Sequence, residues 1–231
     1  MSTARIHIHR AVMDDSLREA TATRAWLAAR RWPMFNCIGS PGAGKTALLE
    51  GLATLLAGRL KFAVIEGDCA TARDAERVAA HGIHAIQIVT GDGCHLPAAA
   101  VNKALADLPA DSECVLVENV GNLVCPAAFD IGETAKVAVL SVTEGEDKPL
   151  KYPALFRKAG AIVLTKTDLL PHLRFNLEAC RHAIRQINSA APLFEVSARA
   201  GTGLSALADW LLAQAAAARQ ACAPLGQALG K

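Results

Sequence analysis

The chain has 231 residues, of which 52% are hydrophobic and 20% are charged. This composition excludes a disordered chain and is sufficient for one large domain or two small ones. The net charge of +2 argues against nucleic acid as the main partner, because proteins that bind it usually carry a clear basic excess.

We also expect neither a secretion signal nor a membrane span. Residues 1–15 lack an apolar core of signal-peptide length, and no apolar run reaches the roughly 18 residues that a spanning helix needs. The seven cysteines, an odd number, are typical of a reducing compartment, so the predicted location is cytoplasmic.

Short apolar runs recur along the chain, and each is followed by a turn and, in most cases, a helical stretch. The runs are continuous rather than alternating, which is typical of strands covered on both faces. They span residues 35–38, 62–65, 85–89, 115–117, 137–142, 162–164 and 193–196. Stretches that we predict to be helical lie at 48–56, 71–80 and 204–211. This alternation predicts an α/β fold with a mostly parallel sheet and helices on both faces.

A phosphate-binding motif follows the first predicted strand. The stretch Gly39-Ser40-Pro41-Gly42-Ala43-Gly44-Lys45-Thr46 fits the P-loop pattern G-x-x-x-x-G-K-[ST]. Its backbone N–H groups and the positive end of the next helix hold phosphate oxygens. We expect Lys45 to reach the outer phosphates of a nucleotide and Thr46 to ligate Mg²⁺.

Two acidic residues at strand ends are candidates for the magnesium shell and for catalysis. Glu118 ends the strand at 115–117, and Gly121 follows at the spacing of a switch glycine whose N–H contacts a γ-phosphate. Asp68 ends the strand at 62–65 and could position the attacking water.

Two further elements predict guanine as the base. Thr165-Lys166-Thr167-Asp168 is close to the Asn-Lys-x-Asp element of guanine-nucleotide proteins, and Asp168 can accept bonds from guanine N1 and N2. Ser197-Ala198 resembles the element whose backbone N–H meets guanine O6. Thr165 departs from the pattern, because it lacks the asparagine amide.

A cysteine–histidine constellation lies near the predicted switch. Cys94 and His95 are adjacent in a loop after a strand, and Cys125 stands seven residues beyond Glu118. Together they offer a sulfur, nitrogen and sulfur ligand set that suits Ni²⁺ or Zn²⁺. Because Cys125 lies in the segment expected to respond to γ-phosphate, the pattern suggests GTP-gated metal binding.

These motifs resemble those of the HypB family of hydrogenase maturation GTPases, from about residue 35 to residue 212. The most specific stretch is Glu118-Asn119-Val120-Gly121-Asn122-Leu123-Val124-Cys125-Pro126, and residues 141–153 are nearly as specific. The resemblance implies a weak GTPase of the dimerising P-loop (SIMIBI) class that uses GTP and Mg²⁺ and loads nickel into [NiFe]-hydrogenase.

The resemblance also implies partners and site roles. The expected partners are a second copy in the GTP state, a small nickel- and zinc-binding maturation protein and the hydrogenase large subunit. The family's metal site falls on Cys94, His95 and Cys125. Lys148 falls on the element that reaches across the dimer to nucleotide. Residues 1–33 contain no cysteine, so the N-terminal nickel motif of some members is absent, and His7 and His9 are a poor substitute.

We divide the chain into an N-terminal arm (residues 1–33), which is partner-docking or flexible, a P-loop GTPase domain (34–218) and a C-terminal tail (219–231). Three alternatives stay open. The chain could be a GTPase metallochaperone for another enzyme such as urease, a P-loop kinase of a small metabolite, or a switch in which the cysteines and histidine merely pack.

Overall fold

The computed structural model describes residues 8–68 and 73–221. Seven parallel strands form one sheet in the order β3-β2-β4-β1-β5-β6-β7. The strands are β1 Met34–Ile38, β2 Phe62–Asp68, β3 Ala85–Val89, β4 Cys114–Glu118, β5 Ala135–Ser141, β6 Ala159–Thr165 and β7 Leu193–Glu195.

Helices connect the strands and cover both faces of the sheet. They are α1 Ile8–Arg30, α2 Lys45–Leu56, α3 Arg73–Ala79, α4 Ala98–Leu105, α5 Cys125–Ala128, α6 Lys148–Lys151, α7 Pro153–Lys158, α8 Leu177–Ile187 and α9 Leu204–Ala221. A 3₁₀ helix, Thr167–His172, follows β6. Within the described ranges, no helix combines the length and apolarity that crossing a membrane requires.

The core has one layer on each side of the sheet. Leucines of α2 and α9, such as Leu48 and Leu207, pack on one face. Leu27 of α1 and Leu105 of α4 pack on the other. Each fully buried leucine contributes about 1.5–3 kcal/mol to folding, so these two helix pairs fix the sheet between them.

The predicted α/β architecture is confirmed. Every position of β1 and β4 is buried, which explains why their sequences are mostly apolar instead of alternating. Because all strands are parallel, the carboxyl ends of β1, β2 and β4 lie at one edge of the sheet, where the motif residues collect.

Both predicted terminal segments contain ordered helix. The arm at 1–33 includes α1, and Ala20 and Leu27 of that helix are buried against α4 and the sheet. The helix α9 continues three residues into the predicted tail at 219–231, because its alanine-rich sequence favours helix and Arg219 donates to Glu113 Oε1 at 2.5 Å. The rest of the tail, at 222–231, lies outside the described residues.

Candidate functional site

The phosphate-binding loop makes its turn between β1 and α2 because three of its residues are glycines. Gly42 and Gly44 have φ of +74° and +91°, in the left-handed region that other residues rarely adopt. A Cβ on Gly39 would lie 2.5 Å from the carbonyl oxygen of Val139. The side chain of Lys45 lies across this loop, and its Nζ donates to the Gly39 and Ser40 carbonyl oxygens at 3.4 Å each.

Glu118 meets the start of α2 directly. Thr46 Oγ1 donates to Glu118 Oε1 at 3.1 Å, and Lys45 Nζ lies 3.7 Å from the same oxygen. The side chains of Lys45 and Glu118 are each only 6% exposed. The predicted magnesium ligands Thr46 and Glu118 therefore converge at the end of the phosphate loop.

A second buried carboxyl group, Glu66, faces Glu118 and was missed by sequence reasoning. The β2–β4 register pairs the two residues, and Glu66 is 1% exposed. Burial, and then the charge of Glu118, raise the pKa of Glu66 far above its ordinary value. Burial also raises the pKa of Glu118. A hydrogen bond with Glu118 raises the pKa of Glu66 further. An acidic residue inside an apolar strand, two positions before Asp68 on the same face, was the available signal.

The site fits Mg²⁺ by the chemistry of its donors. Glu118 Oε2 and Glu66 Oε1 are buried without a hydrogen-bond donor in the described part of the chain. Buried carboxylate oxygens of this kind need a proton or a cation to offset their desolvation. Oxygen ligands from a hydroxyl and a carboxylate are the donors that Mg²⁺ prefers.

Lys45, Thr46 and Glu118 line a cavity of about 420 Å³ over the phosphate loop. The predicted residues Asp68 and Gly121 also line it. A Cβ on Gly121 would lie 2.8 Å from Pro41 Cγ and 3.0 Å from Pro41 N, so the glycine allows the switch backbone to approach the loop. Asp74 and Arg77 of α3 line the same cavity and were not predicted from the sequence.

The two predicted base elements lie side by side. Ser197 Oγ donates to Asp168 Oδ1 at 2.6 Å, and the half-buried Ala198 follows Ser197. Lys166 Nζ donates to the Gly42 carbonyl oxygen at 2.6 Å. Thr165 Oγ1 donates to the Ala43 carbonyl oxygen at 2.5 Å. Thr165 therefore ties β6 to the phosphate loop through its hydroxyl, without the asparagine amide of the usual motif.

Asn119 joins the phosphate cavity to the loop that carries Cys94 and His95. Its side chain is 1% exposed, and its Oδ1 accepts from the backbone N–H groups of Leu96 and Val120 at 3.0 Å each. Its Nδ2 donates to Asn36 Oδ1 at 3.0 Å. Leu96 is fully buried and packs against Gly67, where an added Cβ would lie only 2.5 Å from Leu96 Cγ. The loop at 94–96 is thus attached to the ends of β2 and β4.

The three predicted metal ligands are neighbours without forming a closed site. Cys94 Sγ lies 3.8 Å from His95 Nδ1, and a hydrogen bond with Cys94 is the first cause of the raised pKa of Cys125. Burial lowers the pKa of His95. Across residues 8–68 and 73–221, no three His, Cys, Asp or Glu side chains converge as a metal site. The metal triad therefore stays a prediction. His7 lies outside the described residues, as does the His9 side chain.

Phe129 accounts for the position of the histidine. The His95 and Phe129 rings are stacked, with centroids 4.0 Å apart and planes 8° from parallel. The segment after α5 that carries Phe129 is anchored by Lys136, whose Nζ donates to the Phe129 carbonyl oxygen at 2.8 Å and pairs with Glu133. Arg24 of α1 holds the same segment through two bonds to Asp130, at 2.7 and 2.6 Å.

Lys148 lies apart from this cavity in the single chain. Its Nζ is 3.9 Å from Glu144 Oε2 and 5.2 Å from the centre of the Tyr152 ring. Its predicted contact with nucleotide across a dimer stays a prediction.

The fold and this site define a P-loop nucleotide-binding protein with a seven-stranded parallel sheet. The family model described as CobW/HypB/UreG, nucleotide-binding domain, matches residues 33–195. The chain belongs to this family, among its HypB hydrogenase maturation members.

Three relatives illustrate the similarity. The chain is 49% identical over 207 residues to the hydrogenase maturation factor HypB of Azotobacter vinelandii. The aligned region covers 89% of this chain and 68% of that protein. The crystal structure of HypB from Archaeoglobus fulgidus matches with a TM-score of 0.82 and 34% identity, over 87% of this chain and 99% of that one. The structure of HypB from Helicobacter pylori in complex with nickel gives a TM-score of 0.83 and 33% identity, over 92% of this chain and 99% of that one.

Proposed function

We propose that this protein is a GTP-hydrolysing metallochaperone that helps insert nickel into [NiFe]-hydrogenase, and that its metal site is coupled to its nucleotide switch. The observation that carries the coupling is the Asn119 side chain, which lines the phosphate cavity and holds the backbone of Leu96 beside Cys94 and His95. A change in the position of Glu118 or Gly121 on nucleotide binding is transmitted through Asn119 to the metal loop.

Different groups of the chain bind the phosphates, the Mg²⁺ and the base of the nucleotide. The loop amides of residues 39–46 and Lys45 bind the phosphates, and Thr46 and Glu118 hold Mg²⁺, with Asp68 nearby to orient the attacking water. When bound, Mg²⁺ neutralises charge on the phosphate oxygens. The pairing of Asp168 with Ser197 supports guanine as the base, because the carboxylate is held where two base N–H groups can donate to it.

Metal binding uses residues that lie beside the switch segment. In the GTP state, we expect Cys94, His95 and Cys125 to close on nickel or zinc at the interface between two copies, where Lys148 reaches the partner's nucleotide. Hydrolysis moves Cys125 away from the other two ligands and lowers the metal affinity. The cargo then passes to the hydrogenase large subunit or to a small nickel- and zinc-binding maturation protein.

A metal titration tests this proposal. Purified protein is titrated with Ni²⁺ and with Zn²⁺, in GDP and in a non-hydrolysable GTP analogue, while its mass in solution is followed. We expect metal affinity to depend on the nucleotide and a dimer to form with the analogue. Cys125→Ser should weaken metal binding and leave GTP binding intact, and Lys45→Ala should abolish GTP binding or hydrolysis. Tight GTP binding with no metal in either state would reject the metallochaperone.

A further inference from the structure

The phosphate cavity has a second basic side chain besides Lys45. Arg77 of α3 lines it together with Asp68 and Asp74. The Arg77 side chain is 48% exposed, so the guanidinium lies at the mouth of the cavity and not in the core. Arg77 reaches the cavity from α3, which follows β2, whereas Lys45 reaches it from the start of α2.

Glu50 of α2 fixes the plane of this guanidinium. Arg77 Nε donates to Glu50 Oε1 at 2.9 Å, and Nη2 donates to Oε2 at 2.8 Å. A two-point contact between arginine and carboxylate sets orientation as well as distance. Glu50 is 23% exposed, so the pair is partly shielded and the guanidinium has a defined direction.

The remaining nitrogen, Nη1, is the one that Glu50 does not engage. It donates to Asp74 Oδ1 at 3.2 Å, a longer bond than either contact with Glu50, and Asp74 itself lines the cavity. An arginine carries five N–H groups, and Glu50 engages only the donors on Nε and Nη2. Donors on Nη1 therefore remain available to an anion that enters the cavity.

The charges around the cavity call for such a donor. Asp68, Asp74 and Glu118 all line it, and their carboxylates repel a triphosphate. Among the described residues that line it, Lys45 and Arg77 are the basic ones. Lys45 lies along the phosphate loop, and Arg77 adds a second cation to the cavity from α3.

We propose that Arg77 binds the terminal phosphate of a nucleoside triphosphate through Nη1, and that Glu50 positions its guanidinium. The inference rests on the proposed GTPase function and adds a phosphate-binding residue to it. When the triphosphate binds, Nη1 exchanges Asp74 Oδ1 for a terminal phosphate oxygen, and both bonds to Glu50 persist. A diphosphate lacks the terminal group, so Arg77 distinguishes the GTP state from the GDP state.

The test compares Arg77→Ala and Arg77→Lys with a matched control, Arg59→Ala. Arg59 is 50% exposed and pairs with Asp209 at 2.9 Å, so it has similar exposure and a similar ion pair away from the cavity. Affinities for GDP and for a non-hydrolysable GTP analogue are measured by calorimetry, and GTP turnover by phosphate release. A thermal melt of each variant checks folding.

We expect Arg77→Ala to weaken binding of the analogue about 10- to 100-fold, the usual loss for a hydrogen bond to a charged group, and to slow turnover. GDP affinity should change less than about twofold, since GDP lacks the terminal phosphate. Arg77→Lys keeps the charge without the planar fork and should recover only part of the loss. Arg59→Ala should behave as the wild type.

Two results would overturn the inference. If Arg77→Ala binds the analogue and hydrolyses GTP as the wild type does, Arg77 is not a phosphate ligand, while the proposed GTPase function stands. If Arg77→Ala and Glu50→Gln weaken GDP and analogue equally, the pair merely fastens α3 to α2. If Arg77→Ala does not fold, the ratio of analogue affinity to GDP affinity in Arg77→Lys decides instead. A wild-type chain that does not hydrolyse GTP rejects the proposed function itself.

Discussion

Asn119 is the side chain whose removal most directly separates the nucleotide site from the metal loop. In Asn119→Ala, the N–H groups of Leu96 and Val120 lose their acceptor, and Asn36 Oδ1 loses its donor. A buried group left unpaired costs about 1–3 kcal/mol, so the two N–H groups alone cost about 2–6 kcal/mol. Water that enters the vacated space would keep the loss near the lower figure. A domain is stable by about 5–15 kcal/mol, so the variant should fold and melt earlier.

Asn188→Ala is the matched control for this loss of hydrogen bonds. Asn188 Nδ2 donates to the Phe156 and Ala159 carbonyl oxygens at 2.9 Å each, and its Oδ1 accepts from the N–H of Ala191 at 3.0 Å. It stands at the end of α8, far along the sheet from the phosphate loop. Its removal should destabilise the fold without touching either site.

The assay is the ratio of nickel affinities in the non-hydrolysable GTP analogue and in GDP, together with urea unfolding. We expect both alanine variants to lose free energy of unfolding, and only Asn119→Ala to lose the dependence of nickel affinity on nucleotide. If Asn119→Ala keeps the wild-type ratio while binding nucleotide, the signal does not pass through Asn119. If Asn188→Ala also loses the ratio, the effect is a general loosening of the fold.

Three further outcomes follow from the geometry. Asp168→Ala should remove the preference for GTP over ATP, measured by competition, whereas Ser197→Ala, which loses only the 2.6 Å bond to Asp168, should reduce it less. Lys136→Ala should lower the free energy of unfolding in urea by about 3–5 kcal/mol, because it leaves the buried Glu133 carboxylate without its cation. The double variant Lys136→Met, Glu133→Gln should lose less free energy of unfolding. Equal losses in the two variants would refute the argument. Burial raises the pKa of Asp130, but bonds from Arg24 and from the Gly132 N–H lower it more, and the net shift is downward. Its folded pKa therefore lies below the unfolded value near about 3.9, so its stabilisation is present above that pH and is lost as the pH falls through the folded pKa. The difference in unfolding free energy between wild type and Asp130→Asn should be about 0.5–1 kcal/mol at neutral pH, because the ion pair of Asp130 with Arg24 is partly screened. This difference should shrink in acid. A difference that stays constant with pH would contradict the lowered pKa of Asp130.

Much of the fold could be predicted from the sequence because its signals are local. Apolar runs of three to six residues predicted all seven strands, and Gly42 and Gly44 of the phosphate loop have the positive φ values that their motif implies. The predicted helix at 71–80 appears as α3, and Gly82, with φ of +77°, follows its end. The bounds of strands differ by up to three residues, since the pairing of neighbours and not the run itself decides where a strand stops.

The nucleotide site was predicted least well where distant residues meet. Glu66 faces Glu118 because β2 and β4 are neighbours in register, which the sequence does not state. Arg77 lines the cavity, and Glu50 of α2 binds its guanidinium. Neither residue belongs to a motif with fixed spacing, so only the sheet order and the packing of α3 reveal them.

The sequence by itself determined the phosphate loop, the parallel α/β architecture and the residue types available for base and metal binding, because each depends on residues close together in the chain. Only the tertiary structure decided how the phosphate cavity is connected to the loop that carries Cys94 and His95. Asn119 reaches Leu96 across 23 positions of sequence, and Phe129 stacks on His95 across 34 positions. Such contacts depend on strand order and on burial, since a hydrogen bond or ring contact between distant segments exists only after the sheet has placed their ends at one edge.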